Sequence, residues 1–199
     1  GVSDIFKISG INTPDMSILS EEFLKEVQKM PQKNLAVELL NKLINDQVKS
    51  KFKTNIVKQK KFSDLLQNAL SKYQNRSIEA AQVIAELIEM AKEFKKDIEK
   101  TDELNLDPAE NAFYDALSNN KSAEDLMGEE LLIEIAREVA EKLRQNVSVD
   151  WSVRESVRAR LRLIVKNLLR KYKYPPDDQD EAVELVLSQA EMVSEELVA

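Results

Sequence analysis

Five basic residues, Arg154, Arg158, Arg162, Lys166 and Arg170, recur every four positions along one stretch of the chain. At 3.6 residues per turn that spacing drifts by about 40° per step, so on a helix the five side chains make a slowly winding row. A guanidinium is a planar fork that fits carboxylates and phosphates by two-point contact, which gives the row three possible chemistries. It can be a solvated flank whose long stems lie over the edges of a core. It can grip the phosphates of nucleic acid, because sequence-independent binding uses a stripe of Arg and Lys. It can also meet an acidic surface on a protein partner. Arg160, Lys171 and Lys173 widen the row, so that eight Lys or Arg and one acid, Glu155, lie between Trp151 and Tyr174. The solvated-flank reading gains from the C-terminal segment. Asp177 to Glu196 holds eight acids and no base, and a last helix folding back would neutralise much of the row. Binding to an anionic membrane surface is disfavoured for the same reason.

Lys49 to Lys61 is a second basic segment, with six lysines and no acid. Lys58, Lys60 and Lys61 are its candidates for phosphate contact, against the plainer reading of a solvated loop or helix end. Trp151 and Tyr174 bound the first segment and can either stack on bases or plug a core.

Catalytic chemistry finds little support. The chain has no Cys and no His. That excludes disulfides, thiol nucleophiles and thiolate metal sites, and it removes the commonest general base and the usual zinc ligand. Gly1, Gly10 and Gly128 are too scattered to cradle a phosphate. Glu93 and Lys95 in "EFKKD" have a nuclease-like E-x-K spacing. They fall mid-helix, whereas that chemistry presents its metal-binding carboxylates from strands. "PPDDQDE" can hold Mg²⁺ loosely, but helix capping and dipole complementarity account for it more simply. No catalytic residue and no metal ligand is assigned.

The elements that must position these residues are helices. Glu, Lys, Leu and Ala abound while Gly and Pro number only 3 and 5, which favours long helices with short connections. A first helix starts near Ser20 with acids in its opening turn and stops before Pro31. Val37, Leu40, Ile44, Val48 and Phe52 form one stripe at helical period, and Phe62, Leu66, Ala69 and Tyr73 form the next. Ala80, Ile84, Leu87, Ala91, Phe94 and Ile98 alternate by four and three, as a helix–helix seam requires. Asp107-Pro108-x-Glu110 reads as a capping box at an internal boundary. It opens a short helix with Phe113, Tyr114 and Leu117. Ser122 then opens a longer helix bearing Leu132, Ile135, Val139 and Leu143.

Ser152 and Glu155 open the basic helix, whose buried stripe is Val153, Val157, Leu161, Ile164, Leu168 and Tyr172. Tyr174-Pro175-Pro176 ends it. Asp178 and Glu181 start the last helix, with Ala182, Val186, Ala190, Val193 and Leu197 on its apolar face. No segment alternates as a strand does. The expected fold is all-α, a multi-helix bundle of about seven or eight helices after an irregular N-terminal segment, residues 1–19. It divides at the boundary into helical parts 1–105 and 106–199, or forms one continuous domain. No apolar run reaches the roughly 18–20 residues that span a bilayer. With Gly rather than Met at its start, the chain is read as an excised cytoplasmic piece of a longer protein.

Several stretches are similar to the C-terminal region of the R subunit of type I restriction enzymes, the motor and endonuclease of those assemblies. They are "PDMSILSEEFL", "KNLAVELLNKLIND", "KFSDLLQNALSKYQNRSIEAAQVIAELIEMAK", "NAFYDAL" and "VDWSVRESVRARLRLIVKNLLRKYKYPPD", and they cover nearly the whole chain in order. Lys173 departs from the pattern, standing where the family usually has Gly before "YPPD". The resemblance implies a helical region that comes after the motor domains and has no activity alone. In such a subunit ATP and Mg²⁺ serve N-terminal nuclease and helicase-like domains, so this fragment needs no cofactor. The implied partners are the modification and specificity subunits of the methyltransferase core, together with non-specific duplex DNA. The basic residues named above are the binding candidates. The alternative is a purely structural domain that braces the motor, its charges satisfied internally.

Overall fold

The computed structural model describes residues 20–146 and 154–194, apart from the Arg154 side chain; the expectations placed on residues 1–19, Trp151, Ser152, Val153 and Leu197 lie outside the described residues. Among the described residues there are nine α-helices and no strand: α1 Glu21–Lys29, α2 Lys33–Lys51, α3 Ile56–Gln74, α4 Ala80–Glu103, α5 Pro108–Ser118, α6 Lys121–Met127, α7 Glu129–Asn146, α8 Arg154–Lys171 and α9 Gln179–Met192. A 3₁₀ turn, Pro176–Asp178, precedes α9. The all-α expectation holds.

The chain gathers into two units, one within residues 20–53 and 59–103, the other within 54–58 and 104–194. Each has its own cluster of buried apolar side chains. In the first unit, Ser20 caps α1 by accepting from the Phe23 N–H at 3.2 Å, which satisfies a donor that the helix leaves open. Phe23, Leu24 and Val27 of α1 and Val37, Leu40 and Ile44 of α2 are buried together with Ile84, Leu87 and Ala91 of α4. Phe62 stacks on Phe52 at 5.8 Å between centroids, and both meet Phe94 edge-on at 5.2 Å. Burying a ring of this size contributes roughly 1.5–3 kcal/mol, and the ring geometry adds to it.

The second unit is built around α5, which is buried on almost every side. Asp107 and Glu110 form the expected capping box, with Pro108 in the first turn. The helix expected to run from Ser122 through Leu143 is two helices. Asn120, not Ser122, caps α6, and Gly128 ends it with φ +80°, a conformation in which a Cβ is strained. Leu132, Ile135, Val139 and Leu143 then line the buried face of α7. On α8 the buried set is Val157, Leu161, Val165, Leu168 and Leu169, with Ile164 and Tyr172 half-covered. The apolar face is therefore wider than the expected stripe, since Val165 and Leu169 belong to it.

Three stops of the chain use left-handed residues at Arg76, Asn105 and Lys173. At the end of α8 the Lys173 N–H donates to the Arg170 carbonyl at 3.1 Å and the Tyr174 N–H to that of Leu169 at 2.9 Å. That is a Schellman closure, and its left-handed residue is where glycine fits best. Lys173 adopts φ +58° there, at a cost of about 1–2 kcal/mol relative to a right-handed residue. The glycine that the resemblance implies at this position would fit the motif without that cost. Tyr174 is then carried fully inside, its hydroxyl donating to the Leu117 carbonyl at 2.7 Å. It is a core plug.

Candidate functional site

The basic helix α8 packs between α7 and α9. Helix α9 returns antiparallel to it, presenting Asp180, Glu184, Ser188 and Glu191 at spacings of four, four and three. This row meets the inner cations of α8. Arg158 bonds Glu184 at 3.1 Å and Glu191 at 3.5 Å, and Arg162 bonds Glu184 at 2.8 Å. Arg158 also reaches the Ser188 hydroxyl at 3.5 Å. Lys166 lies 4.0 Å from Asp180, whose side chain is 93% exposed, so that pair is weak. The hydrogen bonds from Arg162 and then Arg158 hold the Glu184 carboxyl below its ordinary range, against the opposing effect of its burial. Asp178 and Glu181 were the expected helix starters. Asp178 occupies the cap position of α9 but makes no side-chain cap bond, because the 3₁₀ turn supplies the entry.

At the C-terminal end of α8, Lys171 donates to Glu138 of α7 at 2.9 Å, and the Tyr172 hydroxyl bonds the same carboxylate. The Tyr172 bond comes first and the Lys171 bond second in lowering the Glu138 pKa. Arg160 donates to the Asn146 carbonyl at 2.5 Å and has no ion-pair partner among the described residues. Arg170 and Lys173 are exposed and likewise have none among them. The arginine row is thus divided. Its inner members face acids, and the outward charge comes from Arg160, Arg170 and Lys173. Arg154 begins α8.

The lysine segment is divided too. Lys58 lies in the second unit, 3.9 Å from the buried Asp115. Asn55 donates to the same carboxylate at 2.7 Å. Gln189 of α9 accepts from the Ile56 N–H at 2.8 Å, and its amide donates to the Thr54 carbonyl. Lys60 pairs with Asp64 at 2.8 Å, and Lys61 with Glu93 at 3.0 Å and Asp97 at 2.9 Å. Burial works to lower the Lys61 pKa, but the bonds to Asp97 and Glu93 outweigh it and the net shift is upward. Lys49, Lys51 and Lys53 are exposed, with no ion pair among the described residues. The Asn55–Asp115–Gln189 clasp is absent from the sequence reading, because its members lie 60 and more residues apart.

Glu93, the acid of the E-x-K spacing, lies on α4 and is an ion-pair partner of Lys61. Among the described residues no group of three or more acids comes together as a metal site, and no helix is long and apolar enough to cross a membrane. In the first unit an open groove of about 700 Å³ is floored by Leu65, Ala69 and Met90. Lys72 and Glu86, which also line it, form a pair at 3.7 Å.

Fold and surface together describe an all-helical module with two basic segments, each partly paired with acids. Over residues 1–196 the chain matches the family described as "Type I restriction enzyme HindI endonuclease subunit-like, C-terminal", and it belongs to that family. It is 44% identical over 197 residues to the type I restriction enzyme HindI endonuclease subunit of Haemophilus influenzae, covering 99% of this chain and 19% of that protein. A Methanocaldococcus jannaschii protein, provisionally designated the type I restriction enzyme MjaIXP endonuclease subunit, is 32% identical over 169 residues, covering 84% of this chain and 16% of that one. The chain therefore spans less than a fifth of the length of either relative. No solved structure matches it. The resemblance read from the sequence holds.

Proposed function

We propose that the chain is a non-catalytic helical module that holds a type I restriction endonuclease subunit to the modification and specificity subunits of the methyltransferase core. The observation that carries this reading is the family match along nearly the whole chain to the C-terminal part of such subunits, combined with a surface of charged helix faces. ATP- and Mg²⁺-dependent steps belong, on this reading, to other parts of the subunit, and the complex works in the cytoplasm. Non-specific duplex contact falls to Lys49, Lys51 and Lys53, whose ammonium groups stand outward at the end of α2. Arg158 and Arg162 contribute little to it, because reaching phosphate would break their pairs with α9.

A second reading, a purely structural brace, is favoured by one observation: Arg158 and Arg162 find their acids within the same unit. Titrating the 199-residue chain with purified methyltransferase core, and separately with duplex DNA across a salt series, decides between the two. Assembly predicts a defined complex with the core. It also predicts weak duplex binding whose log affinity falls against log salt with a slope of about −0.9 per phosphate contacted. Failure to bind the core leaves the brace.

A further inference from the structure

Helix α8 has a face that its described neighbours leave exposed, although Arg160 on it reaches back to the Asn146 carbonyl. Ser156, Ala159, Arg160, Leu163, Asn167 and Arg170 are all exposed, and at 100° per residue they fall within about a quarter to a third of a turn. Leu163 is 60% exposed at its centre, on a helix whose other large apolar side chains are buried or half-covered. Arg160 and Arg170 stand on either side of it, about 15 Å apart along the axis. No acid lies within the stripe. Ser156 and Ala159 are small enough for another backbone to approach closely.

We propose that this stripe is a protein-docking face, and that its occupant is a helix on a partner subunit bearing an apolar side chain between two carboxylates. The inference rests on the assembly reading and assigns it a surface. Charge complementarity selects the occupant, because two cations without ion partners among the described residues bracket an apolar position in a chain of net charge −7. Nucleic acid is a poor fit. A leucine at the middle of the stripe would face phosphate or water, and Arg at a desolvated protein contact is among the commonest sources of binding energy.

The test uses the 199-residue chain, purified methyltransferase core and duplex DNA, with binding read by titration and assembly mass by sedimentation. Arg160→Glu with Arg170→Glu should weaken core binding at least 100-fold, and Leu163→Ser about tenfold, with the helical signal and melting profile unchanged. Arg160→Lys with Arg170→Lys keeps the charge and should retain most of the affinity, which separates a docking effect from misfolding. If the wild type binds the core and the charge-reversed variant binds it equally well, the stripe is refuted while the assembly reading stands. If the wild type does not bind the core, both fail. Loss of duplex binding in the reversed variant with core binding retained makes the stripe a DNA face and overturns the proposal. A concentration-dependent dimer abolished by Leu163→Ser, with core binding intact, overturns it in favour of a second copy.

Discussion

The two basic segments resemble each other as strings and diverge as surfaces. The lysine run is broken crosswise: Lys49, Lys51 and Lys53 are exposed, Lys58 lies against Asp115, and Lys60 and Lys61 pair separately. Its acids come from scattered places, 4 residues away for Lys60 and 36 for Lys61. The basic helix is divided lengthwise. Its inner row meets one facing row on α9, 22 and 26 residues further along the chain, and its outer stripe has no ion-pair partner among the described residues. A row of charge can be neutralised as a row only by a second helix with the same period running beside it. Scattered lysines are neutralised one at a time.

Substitutions in the two segments and their partners should differ in cost. Asp115→Ala should cost the most, about 2–4 kcal/mol, because it strips a buried acceptor from Asn55 and Lys58. Thermal unfolding of the second unit reads it, and a loss below about 1 kcal/mol would make Lys58 an ordinary surface lysine. Arg158→Glu should cost about 1–2 kcal/mol by setting like charges against Glu184 and Glu191.

Acid tests the same row without mutation. Glu184 has a depressed pKa, so its contribution is present above the ordinary value of 4.5 and is lost as pH falls through the folded-state value. Stability of the wild type should therefore drop below that pH, and Arg158→Gln with Arg162→Gln should flatten the drop. Replacing Lys49, Lys51 and Lys53 by Gln should move stability by less than about 0.5 kcal/mol, since no ion pair is lost. The same triple variant should lower the salt slope of duplex binding, and an unchanged slope would remove these lysines from the DNA reading.

Most helices were legible because local chemistry marks them. Asp107-Pro108-x-Glu110 caps α5 as its letters say, and the Ala80–Ile98 stripe is the seam of α4. The break at Gly128 was not. Glu129 and Glu130 continue a helical pattern across it, and only the left-handed turn separates α6 from α7. The site was half legible. The acids after Pro176 announced that the basic row could be answered. Counting every fourth residue, however, joined Arg170 to Arg158 and Arg162, although the drift of that spacing carries Arg170 to the outer face. Leu163 falls outside the buried stripe that the spacing marks, and nothing in that spacing points to a use for an exposed apolar side chain. The clasp on Asp115 was out of reach, since no local pattern links Asn55 to a carboxylate 60 positions later.

The same clasp constrains the order in which the molecule can be completed during synthesis. Residues 54–58 leave the ribosome before α9 does, since the partner of the Ile56 N–H is 133 residues downstream. At roughly 5–20 residues per second, on the order of ten seconds separate the two. Asp115 reaches Asn55 and Lys58 about 60 residues after they are made, but the Thr54 carbonyl and the Ile56 N–H wait on water until Gln189 follows. Synthesis of α9 then supplies the acids for Arg158 and Arg162 and the amide for Thr54 and Ile56 in one stroke. The second unit is therefore completed from its far end, and a chain stopped short of Gln189 would leave the Thr54 carbonyl and the Ile56 N–H without the amide that joins them to α9.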